Sequence, residues 1–372
     1  MNISGRAGGG AKAFARAAGL LDRGAAEKAY TAAVLLAARG GDVAFQAAAG
    51  EATPASIFDV ASLTKPLVAS LFFVLAQQGK LSPGDRLADV LPVSSPDPAF
   101  GDITFAHLLA HTSGLPAWRP LHAEIRDAEA KEGRRLSGGA EGHDRAVAAI
   151  LEMPLSFPPG TRCVYSDLGY ILLGRAVEAA AFESLDRLLR REICEPLRMA
   201  DTGYLPLATY SECETGRLVS TGFSQARGRE KVGEVDDENA AAMGGVAGHA
   251  GVFSTAYDIF LFAREVLRAR RGEGRVLTRP SAVAMTTRVQ EPSGCERTLG
   301  FDTPSPESQA GRHFAEGSFG HLGFTGCSLW VDPGREATVV LLSNRVFDGE
   351  QNDGLKPLRP LVHDAVMEEL IP

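Results

Sequence analysis

The stretch FDVASLTKPLVAS, residues 58–70, places a serine and a lysine three positions apart, just where an apolar helix begins. From Leu63, apolar residues recur at helical spacing, at Leu67, Leu71, Val74 and Leu75. This spacing predicts a core-facing helix of about four turns. Pro66 is compatible with it, because proline is tolerated in a first turn. Ser62 and Lys65 would then share one face at the N-terminal end of the helix.

That placement suits nucleophilic catalysis. A serine hydroxyl is a poor nucleophile until a neighbouring base removes its proton. A lysine can act as that base if burial or nearby positive charge lowers its pKa, and N–H groups at a helix start can stabilise the oxyanion that forms. The plain alternative is a serine near a helix N-cap and a solvated lysine. Because the spacing alone is weakly specific, other parts of the chain must supply the partners.

Composition limits the class of protein. The chain has 372 residues, 45% hydrophobic and 23% charged, which is typical of a globular protein with one large domain or two ordinary ones. The formal net charge of −8 argues against a nucleic-acid partner, because phosphate binding depends on clustered Lys and Arg. No apolar run approaches the roughly 20 residues of a membrane span, so none is expected.

The cysteines and the N-terminus indicate the compartment. Five widely spaced cysteines without a Cys-x-x-Cys pair predict reduced thiols rather than a disulfide framework or a zinc site. They are Cys163, Cys194, Cys213, Cys295 and Cys327. Residues 1–24 lack the continuous apolar core of a secretory signal, which predicts a cytoplasmic protein. A misassigned or trimmed start would instead allow a periplasmic one.

Local patterns divide the chain into three parts. Helical spacing over residues 11–30 precedes two apolar runs around Arg-Gly-Gly-Asp, a hairpin signal, and a second hairpin signal, CSLWVDPGREATVVLLSN, precedes a closing amphipathic helix. The middle has helical patches and loops, including the polar segment 128–144, which we expect to be a mobile surface excursion. We predict an α/β domain from residues 1–80 together with 236–372, and an inserted, mostly helical domain, residues 81–235.

Two further segments can complete a site around Ser62. In FPPGTRCVYSDLGYILLG, Tyr165 and Asp167 follow a Pro-Gly turn and precede an apolar helix, so a loop tip facing a cleft is expected. In FGHLGFTGCSLWVDP, His321 and Gly323 stand at the predicted start of a strand. There a glycine removes the side chain that would block a substrate from pairing with the strand edge.

The order Ser-x-x-Lys, Tyr-x-Asp, His-x-Gly resembles the serine β-lactamase and penicillin-binding-protein superfamily, most of all its class C branch with the related DD-peptidases and esterases. HLLAHTSGLP, residues 107–116, and AGHAGVFSTAYDI, residues 247–259, also look like segments of that branch and fall in the expected order. The resemblance implies an α+β fold of the β-lactamase/transpeptidase type, with an antiparallel sheet flanked by helices. It also implies an inserted helical domain and an active site in the cleft between the two domains.

Carried over by motif, the resemblance implies a serine hydrolase that works through a covalent acyl-serine intermediate. Ser62 would be the nucleophile, Lys65 its base, and Tyr165 a partner in proton shuttling, as a phenolate or through a hydrogen-bond relay. The backbone N–H groups of Ser62 and Phe324 would form the oxyanion hole. The resemblance implies no metal and no organic cofactor. The expected partner is a small molecule or short peptide, and the oligomeric state stays open.

Two positions depart from the common motifs. The second motif usually ends in Asn, whereas ionised Asp167 only accepts hydrogen bonds. It would either pair with Lys65, holding the lysine charged and weakening it as a base, or accept a bond from a substrate amide. The third motif often carries lysine where this chain has His321, a mostly neutral group that attracts a substrate carboxylate less. We expect weak β-lactamase action and neutral or ester-like acyl substrates, as for an esterase or a D-amino-acid carboxypeptidase or aminopeptidase.

Alternative interpretations remain open. The α/β-hydrolase fold is not indicated, because the chain has no Gly-x-Ser-x-Gly pentapeptide. A catalytically silent binding or regulatory protein on the same scaffold is the main alternative, since Asp167 departs from the motif. His249 and Gly251 form a second His-x-Gly, which we interpret as a cleft-lining loop. His111 is expected to be buried and hydrogen bonded.

Three other features receive structural interpretations. The acidic segment EVDDENA, residues 234–240, is expected to be an exposed loop, because a second carboxylate cluster for a cation is missing. Arg345, in LLSNRV, is interpreted as a structural surface arginine, with restoring the missing positive charge as the alternative. Trp118 and Trp330 are expected in the core or on a cleft wall.

Overall fold

The computed structural model describes residues 14–371 apart from 205–215, 226 and 307. The described strands are β1 (Ala32–Arg39), β2 (Asp42–Gly50), β3 (Phe58–Asp59), β4 (Gly203–Tyr204), β5 (Phe223–Ser224), β6 (Arg229–Glu230), β7 (Val252–Ser254), β8 (Phe319–Leu322), β9 (Ser328–Asp332) and β10 (Ala337–Ser343). The described α-helices are α1 (Ala15–Ala26), α2 (Thr64–Gln77), α3 (Phe105–Leu109), α4 (Leu121–Glu132), α5 (Ala140–Leu151), α6 (Asp167–Ala181), α7 (Leu185–Leu188), α8 (Glu195–Leu197), α9 (Glu238–Ala242), α10 (Ala256–Arg270), α11 (Arg279–Thr286) and α12 (Leu355–Leu370).

A five-stranded antiparallel sheet organises the molecule, with strand order β2-β1-β10-β9-β8. The hairpins predicted on either side of Arg-Gly-Gly-Asp and Asp-Pro-Gly are β1–β2 and β9–β10. Strands β1 and β10 pair at the centre, with Leu35 opposite Leu341. The sheet therefore joins residues 32–50 to residues 319–343, and β8 lies at its edge.

Helices cover both faces of this sheet. Along β1, Leu35 belongs to the core cluster that contains Leu21 of α1 and Val362 of α12. The alternating neighbours Val34 and Leu36 belong to the second cluster, together with the apolar side chains of α2 and α10. This period of two is the pattern of a strand buried on both faces. The predicted α+β fold with an antiparallel sheet flanked by helices is confirmed.

Helix α2 is buried all round rather than on one face. Every residue from Thr64 to Leu75 is buried, including Lys65. A helix that is apolar on all sides lies inside the protein. The sequence correctly predicted a four-turn helix with Pro66 near its start, but it did not indicate that the lysine would be taken into the core. A charged group there needs partners, which the neighbouring segments supply.

Some predictions were wrong in detail. Residues 128–144 do not form one long loop, because most of them belong to helices α4 and α5. His321 lies near the end of β8 rather than at the start of a strand, and Gly323 follows that strand. The described cysteines all carry free thiols, as predicted, and the Cys163 and Cys295 sulfurs lie 2.6 Å apart.

Some predictions concern residues that the structure does not describe, or domain boundaries that it does not test. The first residues of the predicted N-terminal helix and Cys213 lie outside the described residues. Helices α3 to α8 come from residues 105–197, between the two sets of sheet strands in the chain. The domain boundaries near residues 80 and 235 stay predictions. Among the helices of the described residues, none has the length and apolar character needed to cross a membrane.

Candidate active site

Ser62 lies in a single 3₁₀ turn, Ala61–Leu63, directly before α2. Ala61 has a φ of 47°, in the left-handed region that costs energy for a residue with a side chain. The Asp59 carboxylate holds this turn, because it accepts hydrogen bonds from the Ala61 N–H at 2.8 Å and from the Asp236 N–H at 2.7 Å. Burial raises the pKa of Asp59 to about 7, and the Asp236 charge acts in the same direction. A buried acid therefore fixes the backbone that presents Ser62.

Lys65 lies beside Ser62, as its position in the motif predicted. Its Nζ is 2.9 Å from Ser62 Oγ, 3.0 Å from the His249 carbonyl oxygen and 2.8 Å from Asp167 Oδ1. The contacts with Ser62 and His249 are hydrogen bonds, whereas the contact with Asp167 is an ion pair whose Oδ1 lacks hydrogen-bond geometry. The buried cation is thus held by two hydrogen bonds and one ion pair.

The charges around Lys65 determine its protonation state. Burial lowers the pKa of Lys65, but the Asp167 carboxylate and Tyr165 raise it by more, so the pKa lies above its usual value. Lys65 is therefore an ammonium group at neutral pH and donates to Ser62 rather than accepting from it. Of the two roles that the sequence left open for Asp167, the ion pair with Lys65 is present.

Tyr165 completes the cluster around Ser62. It lies just before α6, whose N-cap Ser166 accepts a hydrogen bond from the Gly169 N–H at 3.2 Å. Lys65 Nζ is 4.9 Å from the centroid of the Tyr165 ring. Burial raises the pKa of Tyr165, while Lys65 and a hydrogen bond with Ser62 act in the opposite direction without cancelling it. The resting group is a neutral phenol, which favours a hydrogen-bond relay over a standing phenolate.

His111 packs against the ring of Tyr165. The two rings lie 4.5 Å apart between centroids, and His111 Nδ1 accepts a hydrogen bond from the Ser166 N–H at 3.0 Å. Burial lowers the pKa of His111 well below its ordinary value, and the nearby Arg297 adds to that shift. The predicted buried, hydrogen-bonded role of His111 is confirmed.

The His-x-Gly motif, His321 and Gly323, lies at the edge strand β8. His321 is buried, and its Nδ1–H donates to the Leu322 carbonyl oxygen at 2.7 Å. Burial lowers the pKa of His321 well below its ordinary value, and Lys65 and Arg297 act in the same direction. The imidazole is therefore neutral, so it adds no positive charge to the cleft.

Gly323 has a packing role that the sequence did not reveal. A Cβ at this position would lie 2.6 Å from the carbonyl oxygen of Val60, in the segment that leads to Ser62. The glycine therefore lets the turn after β8 approach the nucleophile, a packing role different from the substrate pairing predicted from the sequence. Within the described part of the chain, neither the Ser62 nor the Phe324 N–H is used in a hydrogen bond. Both N–H groups can serve the predicted oxyanion hole.

Several cleft residues lacked a sequence signal. Arg297 and Asp302 form an ion pair and line the cleft, and the Arg297 guanidinium lies 5.1 Å from the Tyr165 ring centroid. Arg345 is not a surface residue: it is buried, stacks on Phe324 at 4.5 Å and donates to the carbonyls of residues 350 and 352. The contacts of Arg297 with Tyr165 and of Arg345 with Phe324 join separate segments of the chain, so no local motif could indicate them.

The acidic segment 234–240 is not an exposed loop. Asp236 is buried, and Asp237 caps α9 by accepting a hydrogen bond from the Ala240 N–H at 2.7 Å. The segment lines a cavity of about 530 Å³ that reaches Ser62. Half-exposed Trp118 forms part of the same wall, whereas Trp330 is buried in the core, as expected for the two tryptophans.

Comparison with known proteins adds to this geometry. The family model described as "Beta-lactamase" matches residues 17–363. An "N-acetylmuramyl-L-alanine amidase" of Bacillus subtilis (strain 168) is 31% identical over 325 residues, 80% of this chain and 70% of that protein. A "Putative D-alanyl-D-alanine carboxypeptidase" of Escherichia coli (strain K12) is 30% identical over 332 residues, 82% of this chain and 74% of that protein. The solved structure of EstCE1, "a hydrolase with promiscuous acyltransferase activity", covers 95% of this chain and 97% of its own at 24% identity, with a TM-score of 0.71.

Proposed function

The chain belongs to the beta-lactamase family of serine hydrolases, and we propose that Ser62 is its nucleophile and that small amides or short peptides are its substrates. The observation that carries this proposal is the 2.9 Å contact between Lys65 Nζ and Ser62 Oγ inside a buried network. Burying a charged lysine beside a serine that lines an open cleft costs stability, so a role in catalysis explains this arrangement better than a role in folding. The family model and the hydrolase relatives favour an enzyme over a silent scaffold.

The proton route follows from the charges. Lys65 begins as an ammonium group, so it must release a proton before it can receive one from Ser62. Asp167 Oδ1 lies 2.8 Å from Lys65 Nζ and can take that proton as Lys65 accepts the Ser62 proton. Tyr165, a neutral phenol beside Ser62 and Lys65, gives its proton to the leaving group and regains one from Asp167 through Lys65. In this route Asp167 serves as the proton acceptor and Lys65 as the relay.

Acyl transfer then proceeds in two stages. Ser62 Oγ attacks the substrate carbonyl carbon, the bond to the leaving group breaks, and an ester on Ser62 forms. The N–H groups of Ser62 and Phe324 stabilise the oxyanion of each tetrahedral intermediate. Water then attacks the ester carbonyl and releases the acid product. Every proton that moves can be held by Lys65, Asp167 or Tyr165.

The substrate class rests on the cleft and on the relatives. Neutral His321 replaces the fixed positive charge that would attract the carboxylate of a penicillin, so we expect weak β-lactam turnover. The relatives named as an amidase and a carboxypeptidase support an amide or peptide substrate. The compartment stays a prediction, and it decides whether cell-wall peptides or only their fragments are within reach.

Steady-state kinetics test this function. We would measure a p-nitrophenyl ester, a short D-amino-acid peptide and a penicillin with wild type, Ser62→Ala and Ser70→Ala. Ser70 is a matched control, because it is a buried serine of α2 whose Oγ donates to the Pro66 carbonyl instead. We expect Ser62→Ala to lose at least about 10³-fold in kcat and Ser70→Ala to stay active. Equal activity of wild type and Ser62→Ala, or penicillin as the best substrate, would contradict the proposal.

A further inference from the structure

Two cysteine thiols lie against each other close to Tyr165. The sulfurs of Cys163 and Cys295 are 2.6 Å apart, although the residues are 132 positions apart in the chain. A disulfide has an S–S length of about 2.05 Å, so a movement of about 0.5 Å would bring the two sulfurs to bonding distance. Neither thiol takes part in the proposed acyl transfer, so their proximity calls for a separate explanation.

Hydrogen bonds hold the backbone on both sides of this pair. The N–H of Val164 donates to the His111 carbonyl oxygen at 2.9 Å. On the other side, Arg288 Nε–H donates to the Cys295 carbonyl oxygen at 2.7 Å. Both sulfurs also lie beside the Ala110 carbonyl oxygen, at 3.7 Å and 3.9 Å. The fold therefore fixes the two thiols in contact from both segments.

The surroundings favour ionisation of one of the two thiols. The hydrogen bond with Cys163 lowers the pKa of Cys295 to about 7, and Arg297 and Arg288 act in the same direction against burial. The same contact raises the pKa of Cys163. Because the thiolate is the form that reacts with oxidants, Cys295 is the sulfur expected to react first. Cys163 is the neighbouring thiol that can then complete a disulfide.

A small oxidant can reach both sulfurs. Cys163 is partly exposed. Cys295, although buried, lines a cavity of about 590 Å³. This cavity is separate from the two that Ser62 lines. Access to the thiols therefore does not require passage through the substrate cleft.

The other described cysteines lack these features. Cys194 and Cys327 are buried, and neither forms a hydrogen bond with another cysteine in the part of the chain that the structure describes. Burial raises the pKa of Cys194 to about 12 and that of Cys327 to about 11. Buried structural thiols of this kind are unreactive. Among the described cysteines, oxidation is therefore expected at the Cys163–Cys295 pair.

We propose that Cys163 and Cys295 form a reversible disulfide that ties the segment before Tyr165 to the segment before Arg297. With a peroxide as oxidant, the Cys295 thiolate attacks a peroxide oxygen and becomes a sulfenic acid, and the displaced hydroxide takes up a proton to give water. The Cys163 sulfur then attacks the Cys295 sulfur, and the sulfenic oxygen leaves as a second water with the Cys163 proton. The two thiols lose two electrons, and the peroxide gains them.

The disulfide would cross-link the chain beside the active site. Tyr165 follows Cys163 by two positions, and Arg297 follows Cys295 by two. The Arg297 guanidinium already lies 5.1 Å from the Tyr165 ring centroid. The bond would close a loop of 132 positions, and cross-links across long loops restrict the unfolded chain most. We therefore expect oxidation to stabilise the fold around Tyr165.

Thiol counting and peptide mapping test the disulfide in the full chain. The protein would be reduced with dithiothreitol, freed of reductant, exposed to stoichiometric hydrogen peroxide, and labelled with N-ethylmaleimide in denaturant. The chain has five cysteines, so we expect five labels before oxidation and two fewer after it. A peptide joining residues 163 and 295 should appear and disappear again with dithiothreitol. Cys163→Ser and Cys295→Ser should abolish this peptide, whereas the matched control Cys194→Ser should keep it.

Thermal unfolding tests the cross-link energetically. The oxidised wild type should melt about 3–6 °C above the reduced protein, and dithiothreitol should reverse the shift. That reversal within the wild type makes the test independent of whether the serine variants fold. Unchanged label counts after peroxide, a disulfide mapped to another pair, or equal melting temperatures would each overturn the inference. None of these measurements requires turnover, so the nucleophilic role of Ser62 stands or falls separately.

Discussion

Replacing Asp167 by asparagine tests the ion pair at the centre of the site. In the wild type, Lys65 is fully buried and Asp167 Oδ1 lies 2.8 Å from its Nζ. The asparagine of the Asp167→Asn variant would be nearly isosteric, but it would leave the ammonium without a countercharge. Removing one partner of a buried ion pair typically costs about 3–5 kcal/mol. The destabilisation should therefore far exceed that of an exposed pair.

A second bound on the cost comes from deprotonation. In the variant, Lys65 can avoid the unpaired charge by losing its proton. Deprotonation costs about 1.4 kcal/mol for each pH unit between the solution pH and the unfolded pKa of lysine, near 10.4. At pH 7 this sets an upper limit of about 4.6 kcal/mol on the destabilisation. At pH 9 the same bound falls to about 2 kcal/mol. In the variant the folded pKa of Lys65 is depressed, so the unfolded state binds more protons and stability rises with pH.

The wild type should behave differently over the same range. Because Asp167 and Tyr165 hold the pKa of Lys65 above its usual value, its contribution to stability is complete below the unfolded pKa and is lost only at higher pH. Denaturant unfolding at pH 7, 8 and 9 should therefore show the variant approaching the wild type. Asp353→Asn, which breaks the exposed pair with Lys356, should give a small offset that does not change with pH. A constant deficit for Asp167→Asn, or one below about 1 kcal/mol at pH 7, would refute a charged Lys65.

Three other substitutions test neighbouring contacts. Asp59 has a pKa of about 7, raised above the unfolded value near 3.9, so the wild type should lose up to about 4 kcal/mol between pH 4 and 7. Asp59→Asn should lack that loss, and a pH-independent difference in unfolding free energy between the two proteins would contradict it. Gly323→Ala should lower kcat about 10–100-fold, because its Cβ meets the Val60 carbonyl and must shift the turn near the nucleophile; unchanged kcat in a folded variant would exclude this packing role. Arg345→Ala should destabilise by about 1–3 kcal/mol, since two carbonyls lose their donor, and an unaltered denaturation midpoint would oppose that role.

The sequence predicted the parts of the fold that depend on local pattern. Helix α2, the hairpins β1–β2 and β9–β10, and the closing helix α12 have a clear period or turn signal within one segment. The sequence motifs predicted which residues form the catalytic cluster, and Lys65 does lie beside Ser62.

Contacts between distant segments could not be predicted in the same way. The carbonyl of His249 accepts a hydrogen bond from Lys65, although the two residues are 184 positions apart. The segment 234–240 looked solvated because its composition is polar, yet tertiary packing brings it to the nucleophile. An N-cap signal at Asp237 was present and could have indicated a helix start rather than a loop. Its position in the cleft required the fold.

The most direct test of the central claim is the intact mass of the protein after brief exposure to a p-nitrophenyl ester and to a fluorophosphonate. We predict one added acyl or phosphonyl group, located on Ser62 by peptide mapping and absent in Ser62→Ala. Folded wild-type protein that gains no mass, or a mass gain that persists in Ser62→Ala, would contradict Ser62 as the nucleophile.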